Sequence, residues 1–131
     1  MSEQRRTILV CPLSKVVEMI AVHKPSCVIS LLDPGYAFPE LGPTYDGKHL
    51  QLSFHDVHNH AEDQVLPSVE HINQLLSFLG AWTSGENLLI HCRAGMGRSP
   101  AAAFITACYL NPNVPEREIA VALRLALCKT Q

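Results

Sequence analysis

Residues 87–100 read NLLIHCRAGMGRSP, and the chain is organised around this stretch. It opens on a short apolar run at 88–90, of the kind that forms a buried strand. His91 and Cys92 come where that strand ends, and five residues separate Cys92 from Arg98. The Ala-rich apolar segment that follows favours a buried helix. The pattern predicts a strand, a tight loop and a helix, with a cysteine at the strand end and an arginine where the helix begins.

Such a loop is suited to bind an oxyanion. The first N–H groups of a helix have no partners within the helix, and the helix dipole favours negative charge there. Gly95 and Gly97 allow the backbone to bend so that further N–H groups point inward, and Pro100 fits a first helical turn. Arg98 can hold two phosphate oxygens with its planar fork. Thiols at helix N-termini or near cations have pKa values of roughly 3.5–7.5, so we expect Cys92 to be a ready nucleophile.

The loop HCRAGMGRS at 91–99 resembles the His-Cys-x5-Arg-Ser/Thr loop of the cysteine-dependent protein tyrosine phosphatase superfamily. It is most similar to the small dual-specificity-like branch, which includes compact bacterial members. The resemblance covers most of the chain, and it is specific at the loop. Seven positions agree with the motif together: His91, Cys92, Ala94, Gly95, Gly97, Arg98 and Ser99.

The resemblance implies a role for each of these residues. Cys92 would attack phosphorus to give a cysteinyl-phosphate, and Ser99 would hydrogen-bond its sulfur and help it leave in the second step. His91 would orient the loop and tune the thiolate without touching substrate. The equatorial phosphate oxygens would be held by Arg98 together with the backbone amides of the loop residues Arg93, Ala94, Gly95, Met96 and Gly97.

The rest of the chain predicts an α/β fold. Three further segments have apolar or alternating patterns typical of strands: 7–11, 27–32 and 49–54. Three segments have apolar residues at helical spacing: 14–24, 67–83 and 116–128. We expect one domain over residues 1–131, a mostly parallel sheet of four to five strands flanked by helices on both faces. The site should lie at the carboxyl ends of the strands, at Cys92.

A general acid must come from outside the loop, because the leaving oxygen needs a proton. In the phosphatases that this chain resembles, an Asp lies on a loop some thirty-odd residues before the cysteine. Asp56 lies 36 residues before Cys92 and directly follows a predicted strand, whereas Asp63 lies 29 residues before it. We favour Asp56 and keep Asp63 as the alternative.

Asp56 also stands in a cluster that invites a metal interpretation, with His55, His58 and His60. No helical i, i+4 pair of histidines and no second distant set of ligands accompanies the cluster. We therefore expect no metal and no cofactor, and interpret this stretch as the loop of the general acid.

A second open question is the long loop at 33–48, which is rich in proline and glycine. Its aromatic residues Tyr36, Phe38 and Tyr45 either pin the loop to the body of the protein or line the wall of the substrate pocket.

Composition excludes several other classes. The 131 residues carry a net charge of −2, which gives no electrostatic footprint for nucleic acid or an anionic membrane. The five cysteines form no C-x-x-C pair, and a thiolate enzyme needs a reducing compartment. No apolar run approaches the length of a membrane span, and the N-terminal run is too short for a secretory signal. We expect a cytoplasmic protein whose partner is a phosphorylated protein or small phosphoester; the oligomeric state stays open.

The most direct prediction is a protein-tyrosine phosphatase, with a dual-specificity or small-phosphoester phosphatase as the alternative. A phosphoinositide phosphatase is less favoured, because the loop lacks interior lysines. A rhodanese-like sulfurtransferase also has a loop from Cys to Arg, but usually with four intervening residues rather than five. A phosphotyrosine-binding pseudophosphatase would be expected to have lost Cys92 or Arg98.

Overall fold

The computed structural model describes residues 7–42, 45–55, 65, 67–82, 87–94 and 97–130, with 124–130 described in backbone only. Its strands are β1 (Thr7–Pro12), β2 (Cys27–Leu32), β3 (Lys48–Ser53) and β4 (Asn87–Cys92). Its helices are α1 (Val16–His23), α2 (Val69–Gly80), α3 (Arg98–Leu110) and α4 (Glu116–Thr130). A 3-10 turn at Leu13–Lys15 leads into α1.

The four described strands form one parallel sheet in the order β1-β4-β2-β3. Strand β4 is therefore central, and the chain crosses over to reach it from β3. Its neighbours meet it in register, with Cys11 of β1 and Ser30 of β2 both opposite His91. This arrangement confirms the predicted α/β class and the mostly parallel sheet, and it brings the carboxyl end of β4 between two other strand ends.

Helices cover both faces of the sheet, as predicted. On one face α2 and α3 pack on an apolar cluster that includes Ile29, Leu88, Ile90 and Cys92. On the other face α1 packs on a smaller cluster formed by Cys11, Val16, Val28 and Leu89. Because side chains alternate along a strand, Cys92 and its neighbour His91 belong to opposite faces.

The start of α2 differs from the predicted start, for a local reason. Helix α2 begins after Ser68 rather than at Pro67, because the Ser68 hydroxyl accepts from the His71 N–H while the His71 ring accepts from the Ser68 N–H. Helix α3 begins at Arg98 with Pro100 in its first turn, as predicted. Within the described part of the chain, no helix is long and apolar enough to cross a membrane.

Candidate active site

The thiol of Cys92 lies at the carboxyl end of β4, and Cys92 is only 1% exposed. Its Sγ is 3.1 Å from the hydroxyl oxygen of Ser99, which lies in the first turn of α3 and is fully buried. The strand positions the sulfur, and the first turn of the following helix positions the hydroxyl. The two predicted residues are thus brought within hydrogen-bonding distance of each other across the loop.

The side chain of Arg98 is anchored at one end. Its Nη1 donates to Asp33 Oδ1 at 2.6 Å and to the backbone carbonyl of Phe54 at 2.9 Å. Asp33 directly follows β2, and Phe54 directly follows β3, so two strand ends fix the guanidinium. Its Nε is buried and has no hydrogen-bond partner among the described residues. A buried guanidinium N–H without an acceptor is costly, so this donor calls for a ligand oxygen.

The loop between Cys92 and Arg98 is partly described. The Arg93 carbonyl accepts from the Leu13 N–H at 3.1 Å, which ties the loop to the end of β1. The Arg93 side chain is exposed, and its guanidinium carbon lies 5.6 Å from the centroid of the Tyr36 ring. Ala94 is exposed and Gly97 is the N-cap of α3, whereas Gly95 and Met96 lie outside the described residues.

His91 is fully buried and is hydrogen-bonded through both ring nitrogens. Nδ1 donates to the Cys92 carbonyl at 3.3 Å, and Nε2 lies 2.5 Å from the Ser30 hydroxyl, which in turn lies 2.7 Å from His49 Nε2. Burial lowers the pKa of His91 to about 4, and the nearby His49 adds to this effect. Burial also lowers the pKa of His49. Both rings are therefore neutral at neutral pH.

Cys11 lies on the same face of the sheet as His91, one residue before the end of β1. It is buried and is a free thiol. Burial, and secondarily the proximity of Cys92, raises its pKa to about 11. The Cys11 thiol is therefore protonated near neutral pH.

Asp56 and the alternative acid Asp63 lie outside the described residues. The described residues on either side of them in the sequence, His55 and Val65, are hydrogen-bonded to each other: the His55 N–H donates to the Val65 carbonyl, and the Val65 N–H donates to His55 Nδ1, each at 2.8 Å. The Phe54 carbonyl, two residues before Asp56 in the sequence, accepts a hydrogen bond from the Arg98 guanidinium.

Only His55 of the predicted His/Asp cluster is described; His58 and His60, like Asp56, are not. Among the residues that the structure describes, no group of three or more His, Cys, Asp or Glu side chains is placed to hold a metal ion.

Sequence reasoning missed three polar residues of this site: Asp33, Ser30 and His49. The sequence could have placed Asp33 near Cys92, because Asp33 follows a buried strand and Cys92 ends one. The carboxyl ends of parallel strands meet at one edge of a sheet. Ser30 interrupts the apolar run of β2, which also signals a buried polar contact. His49 gave no signal, since a histidine on an edge strand is ordinary.

Comparison with known proteins points in one direction. No protein-family model matches the chain. Over 72 residues, 55% of its length, it is 29% identical to a protein of Invertebrate iridescent virus 6 named "Putative tyrosine phosphatase 197R", of which the match spans only 27%. The solved structure of Tk-PTP in the active form superposes with a TM-score of 0.52 at 21% identity, covering 93% of this chain and 79% of that one. The chain thus shares the fold of Tk-PTP, and the two likenesses confirm the predicted resemblance to the cysteine-dependent protein tyrosine phosphatase superfamily.

Proposed function

We propose that this protein hydrolyses phosphate monoesters through a cysteinyl-phosphate on Cys92, with phosphotyrosine in proteins as its principal substrate. The observation that carries the proposal is the Cys92 thiol at a strand end, 3.1 Å from the Ser99 hydroxyl in the first turn of the next helix. A sulfur nucleophile and a donor that can stabilise it as a thiolate are thereby paired at a helix N-terminus, where anions bind.

In the first step Cys92 Sγ attacks phosphorus, and the bond from phosphorus to the ester oxygen breaks. The leaving oxygen takes a proton from Asp56, which is the proposed general acid. In the second step water attacks the cysteinyl-phosphate, Asp56 accepts the proton of that water, and the thiolate departs while accepting a hydrogen bond from Ser99. Inorganic phosphate and the unmodified thiolate result.

Arg98 supplies positive charge to the phosphoryl group in both steps. Its Nη1 is fully engaged by Asp33 and Phe54, so it serves as the anchor. Its buried Nε–H has no acceptor within the described ranges and is the donor that we assign to an equatorial phosphate oxygen. Donors that are fixed in advance in a dry site are worth more than mobile donors in water, so the anchor contributes to catalysis.

The preference for phosphotyrosine is supported by the names of the two similar proteins and by the depth of the thiol. A cysteine that is 1% exposed suits a phosphate carried on a long, flat aromatic group better than one on a short side chain. Small phosphoesters are the alternative substrates, and the cytoplasm is the proposed location because a thiolate nucleophile needs a reducing compartment.

A substrate panel assayed with a chelator present tests this proposal. Peptides carrying phosphotyrosine, phosphoserine or phosphothreonine, together with nucleotides, inositol lipids and an aryl phosphate, should divide into good and poor substrates, with phosphotyrosine peptides hydrolysed fastest. Activity should survive chelation, since Arg98 and the loop amides already supply the charge that a metal would supply. Loss on chelation with rescue by a divalent ion would contradict the proposal, and so would thiosulfate-to-cyanide transfer by the wild-type protein.

A further inference from the structure

A hydrogen-bonded chain of side chains crosses three strands on the α1 face of the sheet. It runs from His49 on β3 through Ser30 on β2 to His91 on β4, with distances of 2.7 and 2.5 Å. Ser30 and His91 are both fully buried, whereas His49 is half-buried on the edge strand. The remaining buried neighbours on this face are apolar, so the chain is a polar network within a hydrophobic layer.

The direction of every hydrogen bond in this chain can be deduced. The Cys92 carbonyl can only accept, so His91 Nδ1 carries the proton that it donates. A neutral His91 then has an acceptor at Nε2, and the Ser30 hydroxyl must donate to it. The Ser30 oxygen is left to accept, so His49 donates from Nε2. One neutral tautomer of each histidine satisfies all three bonds.

Charge on the surrounding groups does not disturb this assignment. The titratable groups that face His91 from the adjoining strands are Cys11 on β1 and His49 on β3. Burial raises the pKa of Cys11 to about 11 and lowers the pKa of His49, so both are uncharged near neutral pH. From α1, the described side chains packed on this face are apolar; Tyr45 also packs on it, and burial raises the pKa of Tyr45 to about 12, so it is uncharged as well.

The hydrogen-bonded series from His49 through Ser30 to His91 ends at the peptide bond that begins the phosphate-binding loop. The carbonyl of Cys92 and the N–H of Arg93 belong to one peptide group, so a donor on the carbonyl both orients that N–H and strengthens it. The next peptide is fixed as well, because the Arg93 carbonyl accepts from Leu13. The first two peptides after the nucleophile are therefore tied to the body of the protein on the side opposite to the Cys92 thiol.

We propose that Ser30 and His49 are positioning residues of the active site, which act through His91 to hold the Cys92–Arg93 peptide and so favour the Cys92 thiolate. The inference rests on the proposed function for its catalytic consequence. Its effect on the thiol is separate, because ionisation of Cys92 can be measured without any phosphatase substrate.

The experiment measures the alkylation rate of Cys92 by iodoacetamide against pH, with the modified peptide identified by mass spectrometry. Ser30→Ala removes the central hydroxyl, and His49→Leu removes the outer donor. His49→Gln keeps an N–H near the position of Nε2. His23→Leu, at an exposed position of α1, is the matched control.

Ser30→Ala and His49→Leu should raise the pH at which Cys92 ionises by roughly 0.5–1 unit, the size expected from loss of one buried hydrogen bond. His49→Gln should stay close to the wild type, as should His23→Leu. The inference is overturned if Ser30→Ala ionises at the wild-type pH, or if His49→Leu and His49→Gln behave alike. Should Ser30→Ala fail to fold, the pair of His49 variants decides the matter.

Two further readouts separate this inference from the proposed function. Nitrogen-15 spectra of the wild-type histidines should show the proton of His91 on Nδ1 and that of His49 on Nε2; the opposite tautomers would refute the chain. A wild-type protein that hydrolyses no phosphate ester, while the variants still shift the ionisation of Cys92, would refute the proposed function and leave the positioning role intact. Hydrolysis without any shift in the variants would do the reverse.

Discussion

The two faces of the sheet around β4 are built differently. The face covered by α2 and α3 is apolar up to the strand end, where Cys92 emerges from a cluster of leucine, isoleucine and alanine side chains. The face covered by α1 buries Ser30 and His91 among apolar neighbours. Consecutive residues of one strand, His91 and Cys92, thus serve opposite faces.

This difference teaches how the two faces divide the work. The apolar face needs only packing to hold the strand end that carries Cys92, the proposed nucleophile. The α1 face buries polar side chains, which we propose hold the Cys92–Arg93 peptide. Such groups are tolerated there only because each is hydrogen-bonded. In the proposed mechanism the reacting group lies on one face and the residues that position it lie on the other, so substitutions on the two faces should impair the protein in different ways.

The largest effect is expected at the nucleophile itself. Cys92→Ser should lower kcat by something on the order of 10⁶-fold, as removal of a covalent nucleophile does in other hydrolases. The variant should still bind phosphorylated substrate, because Arg98 and the loop are untouched. Steady-state kinetics and equilibrium binding of a phosphotyrosine peptide measure the two properties. Cys108→Ser, in α3 away from the loop, is the control, and substantial turnover by Cys92→Ser would remove the covalent mechanism.

Arg98→Lys should also have a large effect, roughly 10²–10³-fold on kcat, the size seen when one preorganised donor of a transition state is lost. Lysine keeps the charge but has a single side-chain nitrogen. It therefore cannot bind Asp33 and Phe54 with one nitrogen and present a second nitrogen to phosphate. Arg93→Lys is the matched control: Arg93 is exposed and stacks near Tyr36, so its replacement should change kcat little. Equal losses in the two variants would contradict the assigned roles.

Asp56→Asn should slow hydrolysis of substrates with poor leaving groups by about 10²–10⁴-fold, the usual worth of general acid catalysis. The kcat/KM of activated aryl phosphates should fall much less, since it reports the first step and their leaving groups hardly need a proton. The wild-type profile of kcat/KM against pH should be bell-shaped, and its alkaline limb should flatten in this variant. Asp63→Asn should keep the limb; if it loses the limb instead, the general acid is Asp63.

A smaller effect than these losses of activity is expected on stability. Low pH should reduce the free energy of unfolding through His91, which is buried on the α1 face. Burial lowers the pKa of His91 from 6.5 to about 4, so between these values the unfolded chain binds more protons than the folded one. The free energy of unfolding should therefore fall as pH falls through this window, by about 3 kcal/mol from His91. Urea unfolding at several pH values measures it. His91→Asn should show a shallower slope, and parallel slopes would contradict the account.

Much of the fold could be predicted because its signals are local. The segments at 27–32 and 88–92 are apolar over most of their length, which is typical of strands in a parallel sheet that is covered on both faces. The structure has both as strands with every residue buried. The start of α2 differs from the predicted one because two patterns each indicate a helix start. Pro67 indicates one position, and the capping box of Ser68 and His71 indicates the later one that the structure has.

The site was predictable only where it is contiguous. Cys92, Arg98 and Ser99 lie within one loop motif, so their proximity follows from the sequence spacing. Asp33 pairs with Arg98 across 65 positions, a contact that depends on strand order. The chain from His49 through Ser30 to His91 depends in addition on the register of β3 against β2 and of β2 against β4, and no periodicity in one strand encodes that register.

The most direct test of the central claim is to trap the phosphorylated intermediate. Wild-type protein and Asp56→Asn are mixed with an aryl phosphate, quenched in acid within the first turnovers, digested and analysed by mass spectrometry. The account predicts a single added phosphoryl group on the peptide that contains Cys92, with more of it in Asp56→Asn because activation of water is slowed. Phosphate release without any such adduct, or a phosphoryl group on a residue other than Cys92, would contradict it.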